Sequence, residues 1–232
     1  MSSDLKRIQI GLSENNPCNY LPNQVERVAV ALDEELQSTA GYELLLANGF
    51  RRSGDTIYKP YCDHCSACQA FRVKFSLFKE SKSKKRLLNK ATHLRWEIKS
   101  SMDENWFELY RRYIEKRHAN GSMYPANKDS FLKFSISDDI STQYLHIYDS
   151  DTLVAIAVTD MLELSCSSFY TFYEPDFPLS LGTLAVLYQI EYCTIVSREW
   201  LYLGYQIDEC AAMNYKVRFD KHQRLVNHRW QG

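Results

Sequence analysis

Apolar and polar residues alternate over residues 25–32, the period-2 pattern of a strand with one covered face. The period then changes: residues 39–47 space their apolar side chains as a helix does, and Asn48-Gly49 is a pair suited to ending one. A hairpin follows, because Phe50-Arg51-Arg52 and Thr56-Ile57-Tyr58-Lys59 flank the turn signal Ser53-Gly54-Asp55. Pro60 is expected to end that pairing and admit a cysteine-bearing loop. Beyond a strand-like run at 71–75, residues 81–91 read as a basic helix, and Asp103 is expected to cap a stronger helix running to about Arg117. There Trp106, Phe107, Tyr110, Tyr113 and Ile114 recur at spacings of three and four, so the aromatic face is read as core rather than as a base-stacking platform. Strands at 143–148, 153–161 and 167–173 lead into a helix at 181–197, a strand at 200–203 and a short helix near 209–213. This order predicts an α+β (α/β) chain. Polar residues 79–85 mark the expected boundary between an N-terminal α+β region with the cysteine loop (1–78) and a larger domain (79–232).

A chain of 232 residues with 45% hydrophobic and 13% aromatic content can bury a sizeable core and is too apolar to remain disordered. Residues 1–12 lack the apolar centre of an export signal, and the longest aliphatic run, 153–158, is far too short to cross a bilayer. Seven cysteines, an odd number, favour reduced thiols or a metal site over a disulfide framework, so a cytoplasmic location without a membrane partner is expected. The net charge of −1 averages two opposite segments: residues 72–133 hold 16 Lys or Arg against 7 Asp or Glu, whereas 134–197 hold 9 acids and no Lys or Arg. The basic segment can hold a polyanion such as RNA through its phosphates; the plainer reading is a solvated helix face.

Three constellations carry candidate chemistry. Cys62-Asp63-His64-Cys65-Ser66-Ala67-Cys68 repeats a C-x-x-C spacing that lets three thiolates converge on zinc or an iron–sulfur cluster, with Cys18 or His64 as a fourth ligand; the alternatives are inert or redox-sensing thiols. Cys166, Cys193 and Cys210 have no such spacing and read as packing residues. Next, the aromatic run Phe169-Tyr170-Thr171-Phe172-Tyr173 passes through a proline-rich loop to Ser180-Leu181-Gly182-Thr183. There Ser180 can cap a helix, and Gly182 can let a phosphate approach its free N–H groups. Last, Tyr202-Leu203-Gly204-Tyr205 and Lys216 suggest a sheet edge splayed at Gly204, where a ligand's main chain can dock between tyrosines and a lysine. No His stands where it would activate a particular Cys or Ser, so direct transfer is expected rather than a covalent intermediate.

Taken together, Pro17-Cys18-Asn19-Tyr20-Leu21-Pro22, Gly49-Phe50-Arg51-Arg52-Ser53-Gly54-Asp55, Tyr58-Lys59-Pro60 with the cysteine loop, Tyr170-Thr171-Phe172-Tyr173, Ser180-Leu181-Gly182-Thr183 and Tyr202-Leu203-Gly204-Tyr205 resemble the bacterial aspartate/glutamate leucyltransferases, relatives of the arginyl-tRNA-protein transferases. The motifs run in order from about residue 14 to 220. The sequence departs from that pattern at Gln206, where Trp is expected, and from Asp220 onward. The resemblance implies an acetyltransferase (GNAT)-like mixed sheet and attack by the α-amine of an N-terminal Asp or Glu on leucyl-tRNA, marking the acceptor for degradation by an N-degron pathway. It implies leucyl-tRNA and proteins or peptides beginning with Asp or Glu as partners, and neither DNA nor membrane. No cofactor is required for the chemistry, since the ester is already activated and an α-amine with a pKa near 8 is appreciably neutral at pH 7.

By that resemblance Arg52, Lys59, Arg72 or Arg117 would hold the acceptor's carboxylate, Ser180 and Gly182 would face the tRNA 3′ end, and Tyr173, Tyr202, Tyr205 and Lys216 would line the transfer site beside Gly204. Three rivals remain: arginyl transfer to the same acceptors, favoured by an acidic pocket as leucine is by an apolar one; a non-catalytic RNA-binding or metal-sensing module; and a coenzyme A acetyltransferase.

Overall fold

The computed structural model describes residues 8–232; residues 1–7, on which part of the export-signal reading rests, lie outside the described residues. Short strands β1 (Ile10–Leu12), β2 (Asn16–Pro17), β3 (Val25–Glu26) and β4 (Val28–Ala31) open the chain, so the alternation at 25–32 is split at Arg27. Helix α1 (Thr39–Ala47) begins at Ser38, whose Oγ accepts from the Gly41 N–H, and ends at Asn48, with Gly49 at φ +87°. Strands β5 (Arg51–Ser53) and β6 (Thr56–Pro60) form the expected hairpin and complete an antiparallel sheet of order β1-β4-β6-β5. Pro60 does not end the pairing: it stays in β6 opposite Val28. The ladder between β5 and β6 stops at Arg51 opposite Tyr58, so at Pro60 the strand has a neighbour on one side only, where a missing N–H is tolerated.

The chain continues through β7 (Gln69–Lys74), α2 (Lys82–Lys90), β8 (Leu94–Lys99), α3 (Trp106–Arg117), α4 (Lys128–Ser135), β9 (Thr142–Asp149), β10 (Thr152–Met161), β11 (Ser165–Tyr173), α5 (Leu181–Ile195), β12 (Trp200–Gln206), a 3-10 turn at Asn214–Arg218, β13 (His222–Val226) and β14 (Arg229–Gln231). Eight of these strands make one mixed sheet of order β14-β13-β7-β12-β11-β10-β9-β8, in which only β11 and β12, joined through α5, run parallel. β7 lies inside this sheet, which therefore spans the expected boundary at 78/79. The short helix expected near 209–213 is a run of turns, followed by the 3-10 turn.

Strand periodicity builds the layers. On β9 and β10, Tyr144, Tyr148, Ile156 and Val158 pack with Trp106, Tyr110 and Phe131 of α3 and α4, whereas Leu145, Ile147, Ala155 and Ala157 pack with Leu181, Leu184 and Ala185 of α5. Both faces are covered, so 153–158 reads as an unbroken apolar run. Each aromatic or aliphatic side chain buried this fully contributes about 1.5–3 kcal/mol. α3 starts at Asn105 rather than Asp103; Asp103 instead takes the Asn105 N–H on its carboxylate, an Asx-type turn one step before the helix. Among the described residues no helix is long and apolar enough to cross a membrane.

Candidate active site

The β5 pair Arg51-Arg52 organises the site, because adjacent strand residues face opposite sides of a sheet. Arg52 turns inward. Its Nε and Nη2 donate to the two Asp160 carboxylate oxygens at 2.9 and 2.5 Å, Nη2 also to Ser135 O at 2.9 Å, Nη1 to Gly54 O at 3.3 Å, and the guanidinium lies 4.2 Å from the Phe169 ring centroid. Both side chains are 0% exposed. Arg52 is therefore not a free cation for an acceptor: its charge is spent on a buried pair that joins β5 to β10.

Arg51 turns the other way, on the same side as Tyr58 across the hairpin. It borders a cavity of about 610 Å³ whose other walls include Tyr20, Tyr58 and Tyr205, Met123 of the loop before α4, and Tyr110, Phe131, Phe134, Phe169 and Tyr170 from α3, α4 and β11. Among the described residues no Asp or Glu lines it. The aromatic wall is tightly knit: Phe131 lies 4.4 Å from Tyr110 and Phe134 lies 4.7 Å from Phe169, centroid to centroid. Burial pushes the Tyr110 hydroxyl up to about 12 and the Tyr170 hydroxyl higher, so these hydroxyls stay protonated.

The residues named from sequence divide sharply around this cavity. Tyr205 lines it, buried, with its hydroxyl donated to Gly49 O at 2.8 Å. Gly204 lies beside it at φ +79°, and a Cβ built there would stand 1.7 Å from Arg51 Nη1, so the guanidinium rests directly on the glycine. Lys216 is 4% exposed on the 3-10 turn next to the cavity residue Met213; Nζ donates to Met213 O at 3.2 Å and lies over the Tyr215 ring. Burial, and then the Arg51 charge, push Lys216 down to about 7.

Arg52 also borders the cavity, with its guanidinium held by Asp160, and the others lie elsewhere. Tyr202 is three residues from Tyr205, with a register shift between them, and its hydroxyl accepts from Arg72 Nη1 at 3.2 Å outside the cavity. Arg72 itself is sandwiched between Trp200 and Trp230, 3.7 and 4.1 Å from their centroids, and donates twice to Gln223 Oε1. Lys59 points away from Tyr58 by strand alternation, with Nζ over the Phe50 ring. Arg117 Nη2 donates to Pro175 O at 2.6 Å. Tyr173 packs against Tyr113, and its ring fills the space over Gly182, where a Cβ would meet it at 3.1 Å. Gly182 thus makes room for an aromatic ring on its Cβ side. Ser180 precedes α5 without capping a backbone N–H; its hydroxyl pairs with Thr183 Oγ1 at 2.9 Å. Both border a second cavity of about 260 Å³ with Lys84, Tyr215 and Arg218.

Cys18, Cys62, Cys65 and Cys68 share a third cavity of about 180 Å³, which has Tyr20, Tyr58 and Tyr205 in common with the one bordered by Arg51; His64 is exposed and does not border it. Burial and the three neighbouring thiols push the Cys68 thiol up to about 12. Four thiols are the donor chemistry that zinc or iron–sulfur takes. As placed they do not close on one centre: among the described residues no group of three or more His, Cys, Asp or Glu side chains stands where it could hold a metal ion. Cys166 and Cys193 are core residues.

Arg51, Tyr20, Tyr58 and Tyr170 were not singled out individually from sequence, although each stands in a quoted motif. Strand alternation across Arg51-Arg52 was the signal that separates the buried arginine from the accessible one.

The family models described as "Arginine-tRNA-protein transferase, N terminus" and "Arginine-tRNA-protein transferase, C terminus" match residues 16–86 and 105–226. An aspartate/glutamate leucyltransferase of Vibrio parahaemolyticus is 62% identical, covering 100% of each chain, and one of Pseudoalteromonas atlantica is 42% identical, covering 97% of each. Among solved structures, FemX superposes with a TM-score of 0.47 at 8% identity, over 90% of this chain and 83% of that one. A superposition that loose leaves the architecture to its own strand order. Matched along its whole length by these named relatives and along both halves by the family models, the chain belongs to the aspartate/glutamate leucyltransferases of the arginine-tRNA-protein transferase family.

Proposed function

We propose that the chain moves leucine from leucyl-tRNA to the N-terminal Asp or Glu of an acceptor protein, marking it for N-degron degradation in the cytoplasm. The observation that carries the choice of donor is the wall of the large cavity: Met123, Phe131, Phe134, Phe169 and Tyr170 suit a leucyl side chain, and none of the described residues there is an acid that could pair with an arginyl one. The names of the relatives point to the same reaction.

In the proposed reaction the neutral α-amine attacks the ester carbonyl carbon, the amide bond forms, and the bond to the ribose oxygen breaks. The amine gives up a proton and the ribose oxygen gains one. Tyr205, whose hydroxyl already donates to Gly49 O, keeps an oxygen able to accept from the amine and aim it. Lys216, held near neutrality by burial and Arg51, is the group next to the cavity that can exchange a proton at pH 7. Ser180, Thr183, Lys84 and Arg218 around the second cavity suit the phosphate and ribose groups at the donor's 3′ end. An acetyltransferase-like architecture agrees with the mixed sheet and the parallel β11–α5–β12 unit. The reaction as written needs no cofactor, and the thiol cavity has no part in it.

Supplying labelled leucyl-tRNA or arginyl-tRNA with peptides beginning Asp, Glu, Lys or Ala tests this. Label is expected only from leucyl-tRNA into Asp and Glu peptides. Transfer from arginyl-tRNA would overturn the donor assignment.

A further inference from the structure

The cavity of about 610 Å³ holds a positive charge that no described residue compensates. Arg51 Nη2 donates to Ser168 O at 3.3 Å and Phe169 O at 3.2 Å, two neutral acceptors that hold the guanidinium without cancelling it. Its Nε and Nη1 hydrogens have no acceptor among the described residues, and no carboxylate among them pairs with it. Asp160, the acid whose titration Arg51 influences, is already bound by Arg52. Lys216, close enough to feel Arg51, has no carboxylate either. Two half-buried or buried cations that share no anion are costly in isolation.

The backbone is arranged to keep Arg51 in place. Gly204 adopts φ +79°, which only glycine takes readily, and the guanidinium occupies the space a side chain would fill. Two carbonyls at the β11 register shift and a left-handed glycine on β12 together fix one arginine at the cavity wall.

The missing anion can come from either substrate. The donor's leucyl group carries an α-amino group, which Arg51 repels when it is protonated, and its phosphates have Lys84 and Arg218 at the other cavity. The acceptor brings one short carboxylate beside the amine that must reach the ester. We propose that Arg51 selects acceptors beginning with Asp or Glu by pairing with their side-chain carboxylate, an assignment that rests on the leucyl-transfer reading. Arg51 is then a substrate-contacting specificity residue, and the acid required of the acceptor is the counter-charge the fold leaves out.

The test compares wild type, Arg51→Gln and Arg51→Lys, each checked for native melting, with leucyl-tRNA and peptides differing only in Asp or Asn at the first position. Direct binding of the Asp peptide by titration calorimetry runs in parallel. Arg51→Gln is expected to lose about 100-fold in kcat/KM for the Asp peptide, to lose the preference for Asp over Asn, and to keep the wild-type KM for leucyl-tRNA. Arg51→Lys should keep the preference at a lower rate. An Arg51→Gln enzyme that still prefers Asp overturns the assignment, as does a loss that appears as a raised KM for leucyl-tRNA, which would place Arg51 on donor phosphate. A wild type that binds the Asp peptide but transfers nothing defeats the reaction instead, while loss of that binding in Arg51→Gln would still locate the acid subsite. If Arg51→Gln does not fold, Arg51→Lys and Gly204→Ala, which displaces the guanidinium without deleting it, must both weaken Asp-peptide binding; unchanged binding in both overturns the assignment.

Discussion

Lys216 is the side chain whose ionisation the fold alters most usefully. It is folded against burial and the Arg51 charge and lies at about 7, below its ordinary 10.5, so between those values the unfolded chain binds more protons than the native one. The sign follows: this residue's contribution to stability is fully present above 10.5 and is lost as pH falls toward about 7. Lys216→Met removes the titration. In urea unfolding at pH 7 and pH 9.5, wild type is expected to gain stability relative to Lys216→Met at the higher pH, and an unchanged difference would show that the ammonium is not penalised by its site. Which lysine or arginine does this work was only partly legible. Residue type and strand parity separate Arg51 from Arg52, but only the pairing of β5 with β6 and of β12 with β7 puts Arg51 on Gly204 and locks Arg72 between two tryptophans. Tyr202 and Tyr205 carry the same chemistry in sequence and differ by the register shift between them.

At the scale of elements, the Arg52–Asp160 pair is the buried ion pair that ties the small sheet to the large one, beside a shared apolar cluster. Both side chains are fully buried and Asp160 also takes the Thr142 hydroxyl at 3.2 Å, so removing the acid leaves a buried guanidinium without its counter-charge. Asp160→Asn is expected to cost about 3–5 kcal/mol, read as a lower midpoint in chemical denaturation, and Arg52→Met in the same background to recover part of it. A loss below about 1 kcal/mol would mean that the pair is not the joint between the sheets. Elements with local signals were readable. Helices α1 and α2 fall where the apolar spacing with its Asn48-Gly49 ending and the basic run at 81–91 put them, and Ser38 and Ser81 each accept an N–H from their first turns. β8 and α4 escaped notice: Leu94, Trp96 and Ile98 alternate with charged residues, and α4 has eight residues, too few for a convincing helical period. β13 and the edge strand β14 form a polar hairpin whose place depends on pairing β13 with β7 about 150 residues earlier, which no local pattern encodes.

For the whole molecule, the charge asymmetry becomes an arrangement of surfaces. Lys82, Lys85, Arg86 and Lys90 of α2 are exposed and have no ion-pair partner among the described residues, while Lys84 of the same helix turns inward to border the cavity with Ser180, Thr183 and Arg218. Exposed lysines on a polar helix are common, but these share α2 with Lys84 of the cavity proposed for the donor's 3′ end, and on that proposal the acceptor stem runs along them. Phosphate contacts release counterions, so binding through them must weaken steeply with salt, by a factor of about 0.7–0.9 in the log–log slope per contact. The Asp peptide, held through one ion pair, has no comparable dependence. Replacing Lys82, Lys85 and Arg86 by Gln is therefore expected to raise the KM for leucyl-tRNA severalfold at low salt and to flatten its salt dependence by about 2, leaving the KM for the peptide unchanged. A salt slope that survives the triple substitution would move the donor's path off α2, and a raised peptide KM would place the acceptor there instead.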